Sequence, residues 1–409
     1  MPYNRPKRLY YRTAQLASWF VATFVFKRKF LRNEIKGKQG SFVVIANHEA
    51  ALDFVNLIGA TRRPMSFVIS KSFFNTLPIK GFMEKMGVIP KQQFQTAVKD
   101  LRQIKAVVDK GEAVVIYPAG LMCEDGLSTP IPTATYKFLK WLEADIYVAR
   151  TIGTYFVTPK WAKGMRPGRT YMDIYKLFSK EELAQTDLAM IREKTDRALL
   201  FDAYREQEEW LVKYKGNDNI EGLQNVLYIC PHCLTDFSMQ VRDKNTLLCT
   251  ACGFMQKSDE YAFLHKCGDV GQEWRYVSDW SRCIYEHLRE RIRQGLDGEL
   301  TAETAIHMID YEKNKFAEVG QGILRLSQDR FSISGYIKGE AVQLEIPTTN
   351  LPSLPFSPGK YLEIQHGSNI YRCVLNNGRL VMKFIHMVKI FYELKNRTAL
   401  EAEKKTVKQ

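Results

Sequence analysis

Two sets of side chains in this chain have the types and spacing to do chemistry. His48 lies five residues before Asp53 in the stretch Asn47-His48-Glu49-Ala50-Ala51-Leu52-Asp53. An imidazole with a carboxylate near enough to fix its tautomer can take a proton from a substrate hydroxyl, with no protein nucleophile. Such a pair also occurs as an ordinary surface or core histidine, so the surrounding segments decide between the readings. The second set is Cys230, Cys233, Cys249 and Cys252, spaced C-x2-C-x15-C-x2-C. Two such turns offer four thiolates, which close a tetrahedron around Zn²⁺ and leave no open position, so the metal is expected to be structural. A redox dithiol or a disulfide framework fits less well, because one spacing repeats and no secretion signal is seen. His232 either replaces a cysteine as ligand or stands behind the ligands. Cys123, Cys267, Cys283 and Cys373 show no ligand spacing and read as ordinary thiols.

The elements that must position His48 can be read from periodicity. The apolar run Ser41 to Ala46 predicts a buried strand that delivers Asn47 and His48 to its C-terminal end. Met86 to Lys91 ends a second strand-like run. An amphipathic helix is expected from about Thr96 to Lys110, with Gly111 as its C-cap. Ala113 to Tyr117 reads as a central strand broken by Pro118-Ala119-Gly120, and Ala144 to Ala149 as a third strand leading to Arg150. Strands alternating with helices predict a mixed α/β sheet flanked by helices, with the site in loops at strand ends.

The order of these segments resembles the glycerolipid acyltransferase family, best known from 1-acylglycerol-3-phosphate acyltransferases. Asn47, His48 and Asp53 match its Asn-His-x4-Asp block, and Gly87, Ile89, Pro90 and Lys91 resemble its Gly-x-Ile-Pro block. Tyr117-Pro118-Ala119-Gly120 stands where the family has Phe-Pro-Glu-Gly. The segment Thr151 to Trp161 also resembles sequence found after the sheet in bacterial members, so the likeness covers roughly residues 10 to 180. Two departures concern the acceptor: Ala119 replaces the Glu, and Leu121, Met122 and Cys123 stand where an Arg is usual. Glu124 or Asp125 could replace the lost carboxylate; the plainer reading is a solvated Glu-Asp-Gly turn.

The resemblance implies an O-acyltransferase of phospholipid synthesis with no catalytic cofactor. His48 is the general base on the hydroxyl of a lysophospholipid such as 1-acylglycerol-3-phosphate, Asp53 orients it, and the acyl group comes from acyl-CoA or acyl-carrier protein. Asn47, Lys91, Tyr117, Pro118, Gly120 and Arg150 are the implied substrate contacts. Lys91 is the leading phosphate contact, or else a solvated lysine; Lys71 and Arg150 are weaker candidates. The alternative is a catalytically inactive lipid-binding or scaffold protein on the same fold, for which Ala119 is the argument.

At 409 residues the chain is long enough for two or three domains. Of its formal charge of +14, much sits in residues 1–38, where ten Lys and Arg face one acid, Glu34. Between these charges Thr13 to Phe26 is uncharged but too short to span a bilayer. Trp19, Phe20, Phe24 and Phe26 with basic flanks suit the interface of an anionic membrane, here the inner face of a cytoplasmic membrane; the bland reading is a helix packed on the core. Nucleic-acid binding ranks lower because the charge surrounds an apolar anchor.

The expected organisation is an interface arm over 1–38, an acyltransferase domain over 39–215, and a small zinc ribbon over 222–264. A mainly β, barrel-like domain resembling the pleckstrin-homology fold follows over 320–396, closed by a helix from Leu380 to Leu394. A disordered tail is expected over 399–409.

Overall fold

The computed structural model describes residues 5–93, 98–216, 218–367 and 369–396, so the tail expected over 399–409 lies outside the described residues. The chain divides into two units, residues 1–160 with 164–217 and residues 161–163 with 218–409.

The first unit is built on seven strands: β1 (Lys29–Asn33), β2 (Phe42–Ala46), β3 (Met65–Ser70), β4 (Ile89–Lys91), β5 (Ala113–Ile116), β6 (Asp145–Ile152) and β7 (Tyr171–Phe178). Their order is β1-β7-β6-β2-β5-β3-β4. All pairings are parallel except β6 with β7, so the sheet is mixed as expected. Every residue of β2 is buried, as a central strand covered on both faces requires. Val44 and Ala46 pack on one face, under α1 (Arg8–Phe24), α2 (Asp53–Ile58), α3 (Lys71–Thr76) and α4 (Lys80–Lys85). Val43 and Ile45 pack on the other, with α5 (Val98–Asp109) and α6 (Ala134–Leu142). After α7 (Thr154–Val157), helices α8 (Lys180–Gln185) and α9 (Leu188–Leu199) complete that second layer, and α10 (Ala203–Trp210) follows. At roughly 1.5–3 kcal/mol per large apolar side chain buried, β2 alone contributes enough to hold a polar cluster at its end. Gly111 ends the chain after α5 with φ +79°, as a C-cap requires.

Residues 5–38, within the segment expected as an interface arm, are built into this unit. β1 pairs with β7 at the sheet edge, and Gln15 of α1 donates to the carbonyls of Ile58 and Thr61 at 3.3 and 2.8 Å. The Arg28 guanidinium donates to the carbonyl of Asn56. The arm and the sheet are thus one piece, because the backbone of β1 is paired within the sheet. The inward side of α1 carries Tyr11, Ala14, Ser18 and Ala22, whereas Leu9, Leu16, Trp19, Phe20 and Phe24 stay exposed. Apart from Tyr11, the large apolar residues therefore face outward and the small ones inward, the reverse of an ordinary surface helix. Among the described residues no helix is long and apolar enough to cross a membrane.

The second unit holds two sheets. The smaller is an antiparallel set of β8 (Met239–Arg242), β9 (Thr246–Cys249), β10 (Met255–Ser258) and β11 (Leu264–Lys266). Helix α11 (Val277–Arg293) comes next. The larger sheet comprises β12 (Glu299–Asp310), β13 (Lys315–Ser327), β14 (Arg330–Ile337), β15 (Glu340–Pro347), β16 (Phe356–Ser357), β17 (Tyr361–His366) and β18 (Asn369–Leu375). It is followed by α12 (Leu380–Lys395). Its order is β15-β14-β13-β12-β18-β17-β16, with β15 and β16 at the edges, so among the described residues no ladder joins them to close the barrel-like form expected. The sheet also starts at Glu299 and not near 320. The inward positions of β12 are Ala302, Thr304 and Ile306, two of them small or polar, which flattens the alternation that would have marked a strand. A bulge between Ile306 and His307 bends the β12–β13 pair. Beside it a Cβ on Gly320 would lie 1.8 Å from the Tyr336 carbonyl oxygen, so only glycine permits that approach.

Within this unit the first cysteine turn is tied to the helices by charge. Lys383 of α12 lies 2.7 Å from Asp236 and 2.8 Å from Asp297, and Arg291 of α11 reaches the same two acids at 2.7 and 2.6 Å. Trp280 donates its indole N–H to the Ile229 carbonyl at 2.9 Å, and Arg379 donates to that of Phe237.

Candidate active site and cysteine centre

The parallel register of β2 with β5 and β6 sets Ile45 beside Ile116 and Ala46 beside Ala149. The residues that follow these strands emerge together at one end of the sheet. His48 Nδ1 lies 3.0 Å from Asp53 Oδ2, which also accepts from the Ala50 backbone N–H at 3.0 Å. Asp53 is fully buried and His48 about one-fifth exposed, so the pair presents only its imidazole outward. With Nδ1–H donated to the carboxylate, Nε2 keeps its lone pair for a substrate proton.

Tyr117 leaves β5 and stacks on His48, with ring centroids 4.4 Å apart. Burial raises its phenol pKa well above the ordinary value, and the Asp53 charge raises it further. Pro118 ends the strand because it has no N–H to give to the ladder. Gly120 closes the turn with φ +69° and donates to the Tyr117 carbonyl at 3.0 Å. A Cβ there would meet nothing within 4 Å, so the requirement for glycine is conformational and not steric. Cys123 N–H donates to the His48 carbonyl at 3.2 Å and fixes the segment from behind.

Lys91 ends β4 and belongs to the same rim, because Gln93 donates to the Gly120 carbonyl at 2.6 Å. Lys71 lies 3.4 Å from buried Asp100, which also accepts from the Gln92 N–H at 3.0 Å. Burial lowers the Lys91 pKa, Asp100 opposes the fall and Lys71 adds to it. Two ammonium groups therefore gather around one carboxylate, leaving net positive charge.

Two expected substrate contacts are engaged elsewhere. Asn47 is buried and its amide is spent on β6: Oδ1 accepts from the Thr151 N–H at 2.8 Å, and Nδ2 donates to the Thr151 carbonyl at 2.8 Å. Arg150 points to the opposite face, where it pairs with Glu206 and donates to the carbonyls of Ala198 and Leu200. Its partners lie about fifty residues downstream, beyond any local pattern. Glu124 and Asp125 are buried, correcting the reading of a solvated turn. Glu49, to which the sequence assigned no role, is fully buried directly beside His48. A carboxylate next to a strand end carries no signal that distinguishes it from a surface residue.

In the second unit the Sγ atoms of Cys230, Cys233, Cys249 and Cys252 lie within 4.8 Å of one another. Cys230 and Cys252 are 3.8 Å apart, and Cys233 and Cys249 3.7 Å. Thiolates about 2.3 Å from a tetrahedral Zn²⁺ stand about 3.8 Å apart, so the donor set fits such an ion. The two turns repeat one geometry. Leu234 N–H donates to the Cys230 carbonyl and Gly253 N–H to the Cys249 carbonyl, both at 3.0 Å. Both residues have positive φ, +59° and +77°. That conformation costs a leucine about 1–2 kcal/mol, a strain that marks a functional turn.

Residues 27–158, about a third of the chain, match the family model described as Acyltransferase. The match takes in His48, Asp53, Lys91, Tyr117, Pro118, Gly120 and Arg150. Half of the chain (50%) aligns in structure with 79% of the 1-acyl-sn-glycerophosphate (LPA) acyltransferase PlsC from Thermotoga maritima, at 16% identity and a TM-score of 0.41. No curated protein matches the chain.

Because Arg150 pairs with partly buried Glu206, Arg150→Met should destabilise the first unit by up to about 3 kcal/mol. Thermal unfolding checks this; unchanged stability would show that Arg150 is not a structural residue.

Proposed function

We propose that the first unit transfers a fatty acyl group from a thioester donor, acyl-CoA or acyl-carrier protein, to the hydroxyl of a lysophospholipid. The His48–Asp53 hydrogen bond at the open end of the sheet carries this reading, and the match of residues 27–158 to the Acyltransferase family supports it. His48 Nε2 takes the proton from the acceptor hydroxyl. The oxygen bonds to the thioester carbonyl carbon, the C–S bond breaks, and the leaving sulfur takes the proton back from the imidazolium. Asp53 holds the tautomer and stabilises the charged ring. General base action contributes ~10²–10⁴-fold, the remainder coming from positioning. The positive rim of Lys91 and Lys71 is the proposed seat of the acceptor phosphate.

The test is acyl transfer by mass spectrometry in anionic vesicles, with mixed donors and a panel of lysophospholipids. His48→Ala should lose about 10³-fold or more in kcat with the fold intact. Lys91→Met should raise the acceptor KM about tenfold and leave kcat within a factor of a few. Full activity in the His48 variant sinks the mechanism. No product from folded wild type favours the inactive lipid-binding reading, for which Ala119 is the argument.

We further propose that the cysteine centre holds one structural Zn²⁺. Purified protein should carry one equivalent by atomic emission, and a chelator should unfold the β8–β11 sheet. Metal-free protein with the same circular dichroism as the wild type as isolated would exclude it.

The exposed apolar side of α1, with the basic residues around it, is proposed to lie on an anionic membrane. Replacing Trp19, Phe20 and Phe24 together by Ser should abolish co-sedimentation with anionic vesicles. Unchanged sedimentation would refute the docking face.

A further inference from the structure

His48 is held from two sides. Asp53 grips its ring; its two chain neighbours, Asn47 and Glu49, are held by a polar network that the transfer chemistry does not use. Glu49 Oε1 accepts from Asn47 Nδ2 at 3.1 Å. Its Oε2 accepts from Thr154 Oγ1 at 2.9 Å and from the Tyr155 N–H at 3.0 Å. Thr154 and Tyr155 open α7, immediately after the β6 strand to which Asn47 is bonded.

We propose that Glu49 is a positioning residue for His48: its buried carboxylate ties the His48 segment to the β6–α7 junction and so sets where the imidazole sits, without touching substrate. For its activity readout this rests on the acyl-transfer reading above.

The hydrogen bonds fix why a carboxyl group is needed. Asn47 cannot turn its amide over, because Thr151 engages its Oδ1 and Nδ2 through both an N–H and a C=O. Asn47 therefore always presents a donor to Glu49, and Tyr155 presents a second. Thr154 alone can either donate or accept. A carboxylate satisfies all three. A protonated carboxyl does so too, if Oε2–H donates to Thr154 Oγ1. In Glu49→Gln, whichever way the amide lies, an NH₂ group faces an N–H donor.

The same site is responsive to pH. Burial raises the Glu49 pKa to about 8, with the charges of Glu206 and Asp53 adding to the shift. The groups facing it are Asp53 from α2, Glu206 from α10 with its partner Arg150, the Tyr214 phenol and the Cys123 thiol. Between the ordinary carboxyl value of 4.5 and about 8 the folded protein binds more protons here than the unfolded chain. This contribution thus lowers stability as pH rises through that window. Near its upper end the Thr154 bond reverses direction, one residue pair away from His48.

The experiment compares the full-length wild type with Glu49→Gln and Glu49→Ala. It measures kcat and KM against pH, and follows the His48 ring signals by NMR over the same range. Glu49→Gln should lower kcat about 10- to 100-fold with KM within about twofold, as a misplaced base does. The wild type should show an inflection near pH 8 in kcat and in the His48 signals, and the Gln variant should lack both. If Glu49→Gln keeps kcat within about twofold and the His48 signals titrate identically in the two proteins, the proposal fails. If the wild type makes no product, the transfer reading fails, and the NMR titration alone decides the role of Glu49. If Glu49→Ala does not fold, the isosteric Gln variant carries the comparison.

Discussion

Everything at the site depends on the parallel register of three buried strands. Because β2 pairs in the same direction with β5 on one side and β6 on the other, three chain segments meet at one end of the sheet, two as they leave it and the third as β6 runs on into α7. One brings His48, the next Tyr117 to Gly120, the third Thr151 to Tyr155. None of these segments needs to be long, since the sheet has already brought them within hydrogen-bonding distance. The apolar faces of β2 supply the stabilisation, and the polar groups at its end use it.

Those polar groups are costly to bury unless each finds a partner. Asn47 meets that demand by imitating a further rung of the ladder, giving and taking one hydrogen bond with the Thr151 backbone. The sheet is in effect lengthened by one side chain beyond the last strand residue, and His48 begins where that extension ends. Asp53 in turn enters on α2, whose far end is tied down by Gln15 and Arg28. Both partners of the base are anchored to elements on different layers, so their separation is a property of the sheet and not of a loop.

The parts of this arrangement that could be read from the sequence are local. His48 and Asp53 are five residues apart, and each cysteine pair three, so pattern alone finds them. The strands around His48 are apolar enough to stand out. What escaped reading depends on partners far along the chain. Arg150 looked like a substrate contact because Glu206 is 56 residues away. Asn47 looked like one because its partner Thr151 is 104 residues away. Glu124 and Asp125 looked solvated because a turn sequence says nothing of what packs over it. β12 was missed for a different reason: its inward face is made of Ala, Thr and Ile, so the alternation has little amplitude.

The Lys383 contact joins positions 147 residues apart. During synthesis the first cysteine turn is made long before the helix that neutralises its Asp236. A chain that stops before α12 would leave Asp236 and Asp297 sharing Arg291 alone. α12 therefore completes the charge pairing in the middle of the second unit from a position far along the chain.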